Sequence, residues 1–259
     1  HPSGVRAPVV APLPVRVHEP AQEPAEPARF PLGIEEHRST PVTLDLVGPG
    51  QHVVVHGDAA SGRSTLLRRI VRALAATADH GPDVRIHLVD PSRSLLGVAV
   101  LPCVAAHAYE PGGTADLVQS LAREVVRRQP PPGLSLASLS ARGWWQGPEH
   151  VLVVDDYDQL VGPDGSPLAV LVEQLARAGD LGWHVVMARQ VSGFGRTAYD
   201  PFTVRLREQG PATLVLGGDA AESRGMSGAA TTGFPPGRGR LVRPGRPTVV
   251  VQTYLPAVG

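Results

Sequence analysis

The sequence contains no lysine, so all 24 of its basic residues are arginine. With Ala, Val, Gly, Pro and Arg abundant, this reads as GC-rich coding bias. The 24 acidic residues bring the formal net charge to zero. A neutral chain exerts no long-range pull on nucleic acid or an anionic membrane, although a local basic patch stays possible. A single cysteine, Cys103, excludes an internal disulfide and fits a reducing compartment. No apolar run approaches the roughly 20 residues of a membrane span. No signal-peptide pattern follows His1, and the chain reads as a piece of a longer one. The ten histidines show no metal-ligand spacing and read as surface or strand-end residues. No G-x-S-x-G elbow supports a serine hydrolase.

What is present is an apolar fraction of 42% over 259 residues, enough for one large α/β domain or two small ones. Residues 1–29 carry prolines at 2, 8, 12, 14, 20, 24 and 27, which forbid a helix and leave a short extended N-terminal segment. It reads as a linker, with 9–17 suited to an edge of the fold. The domain proper is 30–259. Strands are expected at 42–47, 52–56, 84–90, 150–155, 183–188 and 213–216, with two more near 239–242 and 248–254 joined by Pro244-Gly245. A Gly48-Pro49-Gly50 turn follows the first of these strands. Helices are expected at 64–78, 113–128, 167–178 and 200–209, the last capped by Asp200 with Pro201 in its first turn. The Gly- and Pro-rich stretch 217–238 reads as a loop. Trp144-Trp145 falls in a loop, where anchoring into the core is the ordinary role. Alternating strands and helices predict a doubly wound, mostly parallel sheet.

Between the strand at 52–56 and the following helix lies Gly57-Asp58-Ala59-Ala60-Ser61-Gly62-Arg63-Ser64-Thr65. It fits G-x-x-x-x-G-K-[ST] at every defined place except Arg63, which stands where lysine belongs. Glycines there let backbone amides and the helix N-terminus cradle phosphate oxygens. Lysine reaches a phosphate as a flexible point charge, whereas arginine is longer, planar and forked, so charge is kept and position is not. A second motif, Val151-Leu152-Val153-Val154-Asp155-Asp156, ends an apolar strand in two acids. Asp155 suits a Mg²⁺ partner, with Ser64 as the loop's own metal contact. Asp156 falls where a catalytic glutamate is usual and is one methylene shorter, which is costly in rate. After the strand at 183–188, Arg189 and Gln190, with Arg196 beyond, are candidate γ-phosphate sensors. The motifs predict binding of ATP with Mg²⁺ and poor turnover.

Together these stretches resemble the FtsK/SpoIIIE-type P-loop ATPases, a RecA/FtsK-like fold, and among them the EccC coupling ATPases of type VII secretion in actinobacteria. The resemblance runs from residue 30 to the end. It rests on 31–36 with 42–45, on 57–68, on 151–158, on 195–201 with 205–208 and on 235–242. It implies a degenerate C-terminal (third) ATPase module of a membrane-anchored protein, on the cytoplasmic side of the membrane. Such modules bind ATP with little hydrolysis and recognise ESAT-6-like (WXG100) export substrates. Neighbouring modules of the same chain, other secretion-complex membrane proteins and a hexamer of the full-length protein are the implied partners, and nucleic acid is not among them. Nucleotide contacts carry over to 57–65 and Asp155. The alternatives are an active FtsK-like motor or DNA translocase, which needs the missing lysine and catalytic acid, and a nucleotide-free scaffold.

Overall fold

The central parallel strands, residues 52–56, 149–154 and 183–189, are near-continuous apolar runs buried on both faces, and the two faces divide the core in two. The computed structural model describes residues 12–18, 29–37, 39–46, 52–76 and 84–255. The strands are β1 (Arg29–Glu35), β2 (Pro41–Asp45), β3 (His52–His56), β4 (Val84–Val89), β5 (Val104–Ala108), β6 (Glu149–Val154), β7 (Trp183–Arg189), β8 (Ala212–Val215), β9 (Arg238–Arg243) and β10 (Arg246–Thr253). The helices are α1 (Arg63–Ala76), α2 (Pro111–Arg127), α3 (Leu136–Ser140), α4 (Val172–Leu175), α5 (Phe194–Thr197), α6 (Pro201–Glu208) and α7 (Ala220–Ser227). One ten-stranded sheet runs β2-β1-β10-β9-β8-β3-β7-β6-β4-β5. From β8 to β5 neighbours are parallel, and from β8 out to β2 they are antiparallel.

Val53 and Val55 of β3 face α1, where Leu66, Leu67, Ile70, Val71 and Leu74 form its apolar stripe. Val54 faces the other layer, with Val118, Leu121 and Val125 of α2 and Phe202 and Leu206 of α6. Helices on both faces and parallel strands buried in between are the doubly wound arrangement expected. No helix among the described residues is long and apolar enough to cross a membrane.

Two expectations differ from the structure. Residues 167–178 do not form one helix. A 3-10 turn at Pro167–Leu171 leads into the four-residue α4. Its buried Leu168 and Leu171 are three apart, the spacing that a 3-10 turn puts on one face. The stretch 217–238 is not all loop, because α7 lies in it, capped by Asp219, whose carboxylate accepts from the amides of Ala221 and Glu222 at 2.9 Å. This helix buries Ser223 and Ser227 in place of an apolar stripe, so its period leaves no hydropathy signal. Gly48-Pro49-Gly50 and residues 9–11, 47 and 77–78 lie outside the described residues. Within 12–18, Leu13 and Val17 are buried, and His18 forms a parallel bridge to Leu255. The tryptophans are anchored: Trp144 Nε1 donates to Arg128 O at 2.7 Å, and Trp145 Nε1 to Asp180 O at 2.8 Å.

Gly33 shows how tightly the antiparallel wing closes. A Cβ there would lie 2.1 Å from the backbone oxygen of Gln252. Gly33→Ala therefore has to part β1 from β10, and urea unfolding should show a loss near the top of the overpacking range, about 3 kcal/mol.

Of the histidines expected at surfaces and strand ends, His52, His56 and His150 sit at strand ends but buried, and His87 lies part-buried within β4. Burial first, aided by nearby positive groups, lowers His52, His56 and His150 to about 3 and His87 to about 4. The unfolded chain thus binds these protons first. The four histidines' contribution is fully present above pH about 6.5 and is lost as pH falls toward 3, by up to about 1.4 kcal/mol per histidine per pH unit. Stability measured across that window should fall steeply with acid. A flat profile between pH 6 and 4 would show that these rings are already charged in the fold.

Candidate functional site

The loop from β3 to α1 is held by backbone bonds to the end of β7 and just past β8 and by one bond of its own. Gly57 N donates to Arg189 O at 3.1 Å, Asp58 N to Gly217 O at 2.9 Å, and Ser61 N to Asp58 O at 3.2 Å. Ala60 and Gly62 take positive φ, 60° and 104°. Gly62 needs its freedom twice over, since a Cβ would also lie 3.1 Å from Gly237 N. The first bond of α1 runs from Leu66 N to Gly62 O at 3.0 Å. The amides of Arg63, Ser64 and Thr65 are accordingly the unspent donors with which a helix begins. Ser61 Oγ and Arg63 Nη1 are buried without hydrogen-bond partners. Curled backbone, free helix amides and an orphaned guanidinium nitrogen together suit phosphate oxygens.

The acids at the end of β6 stand across from this loop. Asp155 is fully buried; Ser64 and Ser94 hydroxyls bond its carboxylate, and its Oδ1 accepts from Asp156 N at 2.9 Å. Burial is the largest influence on it and raises its pKa, against the hydrogen bonds from Ser64 and Ser94. Asp156 adopts left-handed φ 46° and ψ 49°, which aspartate tolerates better than most residues. Its Oδ1 accepts from Arg63 Nη2 at 2.7 Å, with only 10% and 15% of the two side chains exposed. Its Oδ2 accepts from Ser92 Oγ at 2.6 Å and lies 3.4 Å from Gln159 Nε2. The cation of the phosphate loop and the second acid of β6 are thus bound to each other.

The loop after β7 meets the phosphate loop through Ser192, whose amide and hydroxyl donate to Asp58 at 2.8 and 2.5 Å. Arg189, expected as a sensor, is fully buried and turned away toward Asp158 (2.9 Å), Thr203 (3.1 Å) and Thr197. Gln190 N donates to Asp158 Oδ2 at 2.7 Å. Arg196 is exposed and its guanidinium packs beside Gly193. Of the sequence candidates, 57–65, Asp155 and Asp156 converge, while Arg189 meets the loop through its backbone carbonyl and sends its guanidinium to Asp158.

Sequence reading missed Ser92, Ser94 and Gln159. The two serines follow β4, which pairs directly with β6, so the loop after β4 emerges beside the acids. Loops at the carboxyl ends of parallel strands converge in such sheets, and that rule, applied to Asp90-Pro91-Ser92-Arg93-Ser94, would have found them. Buried Asp90 shapes this loop by accepting from Ser94 N at 2.8 Å and Leu95 N at 2.7 Å.

Comparison with known proteins is consistent with this geometry. The sequence model of the FtsK/SpoIIIE family matches residues 13–190. An ESX secretion system protein EccC from Thermomonospora curvata is 35% identical over 254 residues, covering 96% of this chain and 19% of the relative. The ESX-4 secretion system protein EccC4 of Mycobacterium tuberculosis is 35% identical over 215 residues, 83% of this chain and 17% of its own length. The chain therefore spans about a fifth of the length of these two relatives. The solved cytoplasmic domain of the T. curvata type VII secretion ATPase EccC superposes with TM-score 0.88 at 34% identity, over 98% of this chain and 30% of that one. A second structure, T. curvata EccC ATPases 2 and 3 in complex with a signal sequence peptide, gives TM-score 0.89 over 98% of this chain and 46% of that one.

Proposed function

The chain belongs to the FtsK/SpoIIIE family, and on that premise we propose that it is a degenerate ATPase module of a type VII secretion coupling ATPase, binding nucleotide weakly and turning it over little. The observation that carries this reading is the 2.7 Å pair between Arg63 and Asp156. It occupies the cation that phosphates need and the acid that an attacking water needs. The residues fit Mg·ATP otherwise: the amides of 62–65 would hold phosphate oxygens, and Ser64 with Asp155 would hold the metal. Bound Mg²⁺ would offset phosphate charge. Arg63 keeps a positive charge at the loop, Ser64 orients Asp155, and Asp156 is kept from acting as a base by Arg63 and Ser92. Calorimetric titration with Mg·ATP, beside phosphate-release kinetics, tests this. Wild-type binding with rapid turnover would refute it, and no binding by the native chain would make it a nucleotide-free scaffold.

The second half of the reading is recognition of an export substrate of the ESAT-6-like type. A cavity of about 460 Å³ lies between the sheet and α5 to α7, lined by Val54, Met187, Leu206, Met226 and Val242. An amphipathic helix can place apolar anchors in such a pocket, and a similar module has been solved with a signal sequence peptide. Met226→Glu should abolish binding of an apolar signal peptide, read by fluorescence anisotropy, and leave Mg·ATP binding unchanged. Equal peptide binding by the variant would place the substrate elsewhere. As part of a longer secretion protein the module would work beside other ATPase modules and membrane partners, at the cytoplasmic face of the membrane.

A further inference from the structure

The amino ends of β4 and β6 lie at the sheet edge opposite the phosphate loop, and there, under α2, they enclose a cavity of about 340 Å³. Two imidazoles form part of its wall. His87 Nε2 lies 2.9 Å from His150 Nδ1, and the rings stack with centroids 5.1 Å apart. In such a contact one nitrogen donates and the other accepts, so the accepting ring is neutral, and burial keeps both rings uncharged near neutral pH. His150 is 5% exposed, and its Nε2 has no hydrogen-bond partner. A buried polar nitrogen left unpaired calls for an explanation.

Three arginines line the same cavity, Arg85 on β4 and Arg123 and Arg127 on α2, the last with 76% of its side chain exposed. Arg123 and Arg127 are four apart and share one helix face. The cavity's single lining carboxylate is Glu124, 3.5 Å from Arg127 Nη1 and part-exposed. The charges behind the cavity are already engaged. Arg128 donates to the carbonyls of Leu181, Gly182 and Pro148, and Glu149 is paired with Arg142 and His184. Three cations therefore face one acid over a neutral, underused imidazole.

We propose that this cavity binds a compact oxyanion, a phosphate or the carboxylate of an acidic peptide, on the forks of Arg85, Arg123 and Arg127, with His150 Nε2 donating at its base. Planar guanidinium groups bind both oxyanions in bidentate fashion. Donation by His150 Nε2 fixes the tautomers, since His87 Nε2 must then donate to His150 Nδ1. None of these residues belongs to the phosphate loop, so this inference stands apart from the reading of that loop.

The test is a nitrogen-15 spectrum of the histidine side chains in the full chain. It is titrated with sodium phosphate against sodium chloride at equal ionic strength, and with a tetraglutamate peptide against tetraglutamine. A saturable shift of His150 Nε2 is expected, with affinity lowered at least about tenfold in Arg85→Gln/Arg123→Gln and raised in Glu124→Gln. Saturation by phosphate alone identifies a free ion as the ligand, and saturation by tetraglutamate identifies an acidic segment. No saturable shift with either probe, or the same affinity in a folded double-arginine variant, overturns the proposal.

Discussion

Arg63→Lys should bind Mg·ATP about tenfold or more tightly than the native chain, a gain of about 1.4 kcal/mol. In the native chain Asp156 holds Arg63 Nη2 and competes with a nucleotide for the guanidinium, and both side chains of that pair are largely withdrawn from water. Lysine has no fork to share between Asp156 and a phosphate, and as a flexible point charge it follows the stronger anion. Asp156 would keep Ser92 and Gln159 as partners, so its desolvation is still partly compensated. Turnover is not expected to rise in step, because Asp156 remains a methylene short of the usual glutamate. Titration calorimetry beside phosphate release separates the two effects. Equal affinity of native and Lys forms would mean that the pair opens at no cost, and would remove it as the reason for weak binding.

Asp158→Ala should destabilise the fold by about 3–5 kcal/mol, the cost of stranding a buried charge. Its partner Arg189 is fully buried, with the Tyr157 and Phe194 rings beside the guanidinium. Asp158 also accepts from Gln190 N. Removing it loosens the stretch whose Arg189 carbonyl holds Gly57 and whose Ser192 holds Asp58. Nucleotide binding should therefore fall along with stability. Urea unfolding at constant m-value reads the first effect. A loss under about 1 kcal/mol would show that Arg189 finds water or another acid once Asp158 is gone.

The sequence spoke most clearly where periodicity and glycine placement agree. β3, the loop at 57–62 and α1 were legible together because a β-branched run, a glycine pair and an apolar stripe each demand one structure. Asp155 and Asp156 were legible because an apolar strand must end somewhere, and acids mark the place. The pairing of Arg63 with Asp156 was not legible. It spans 93 residues and depends on a left-handed backbone at Asp156 that no local pattern announces. Arg189 misled for the opposite reason. Its position after a central strand suggested a sensor, but burial turned its guanidinium toward Asp158. α7 and the 3-10 turn at 167–171 escaped because neither carries a long 3.6-residue apolar repeat.

The two ends of the described chain are tied to the phosphate loop by a short relay. Ser61 O accepts from Gly237 N at 2.8 Å, and Gly237 O accepts from Thr253 N at 2.8 Å. Tyr254 N then reaches Leu32 O at 3.1 Å, and Leu255 N reaches Val17 O at 2.8 Å. Arg238 adds a clasp from the same corner to Leu13 O at 2.6 Å. A pull on the C-terminal end would reach the phosphate loop through two backbone bonds, and one on the N-terminal end through three, so either would be felt at Ser61.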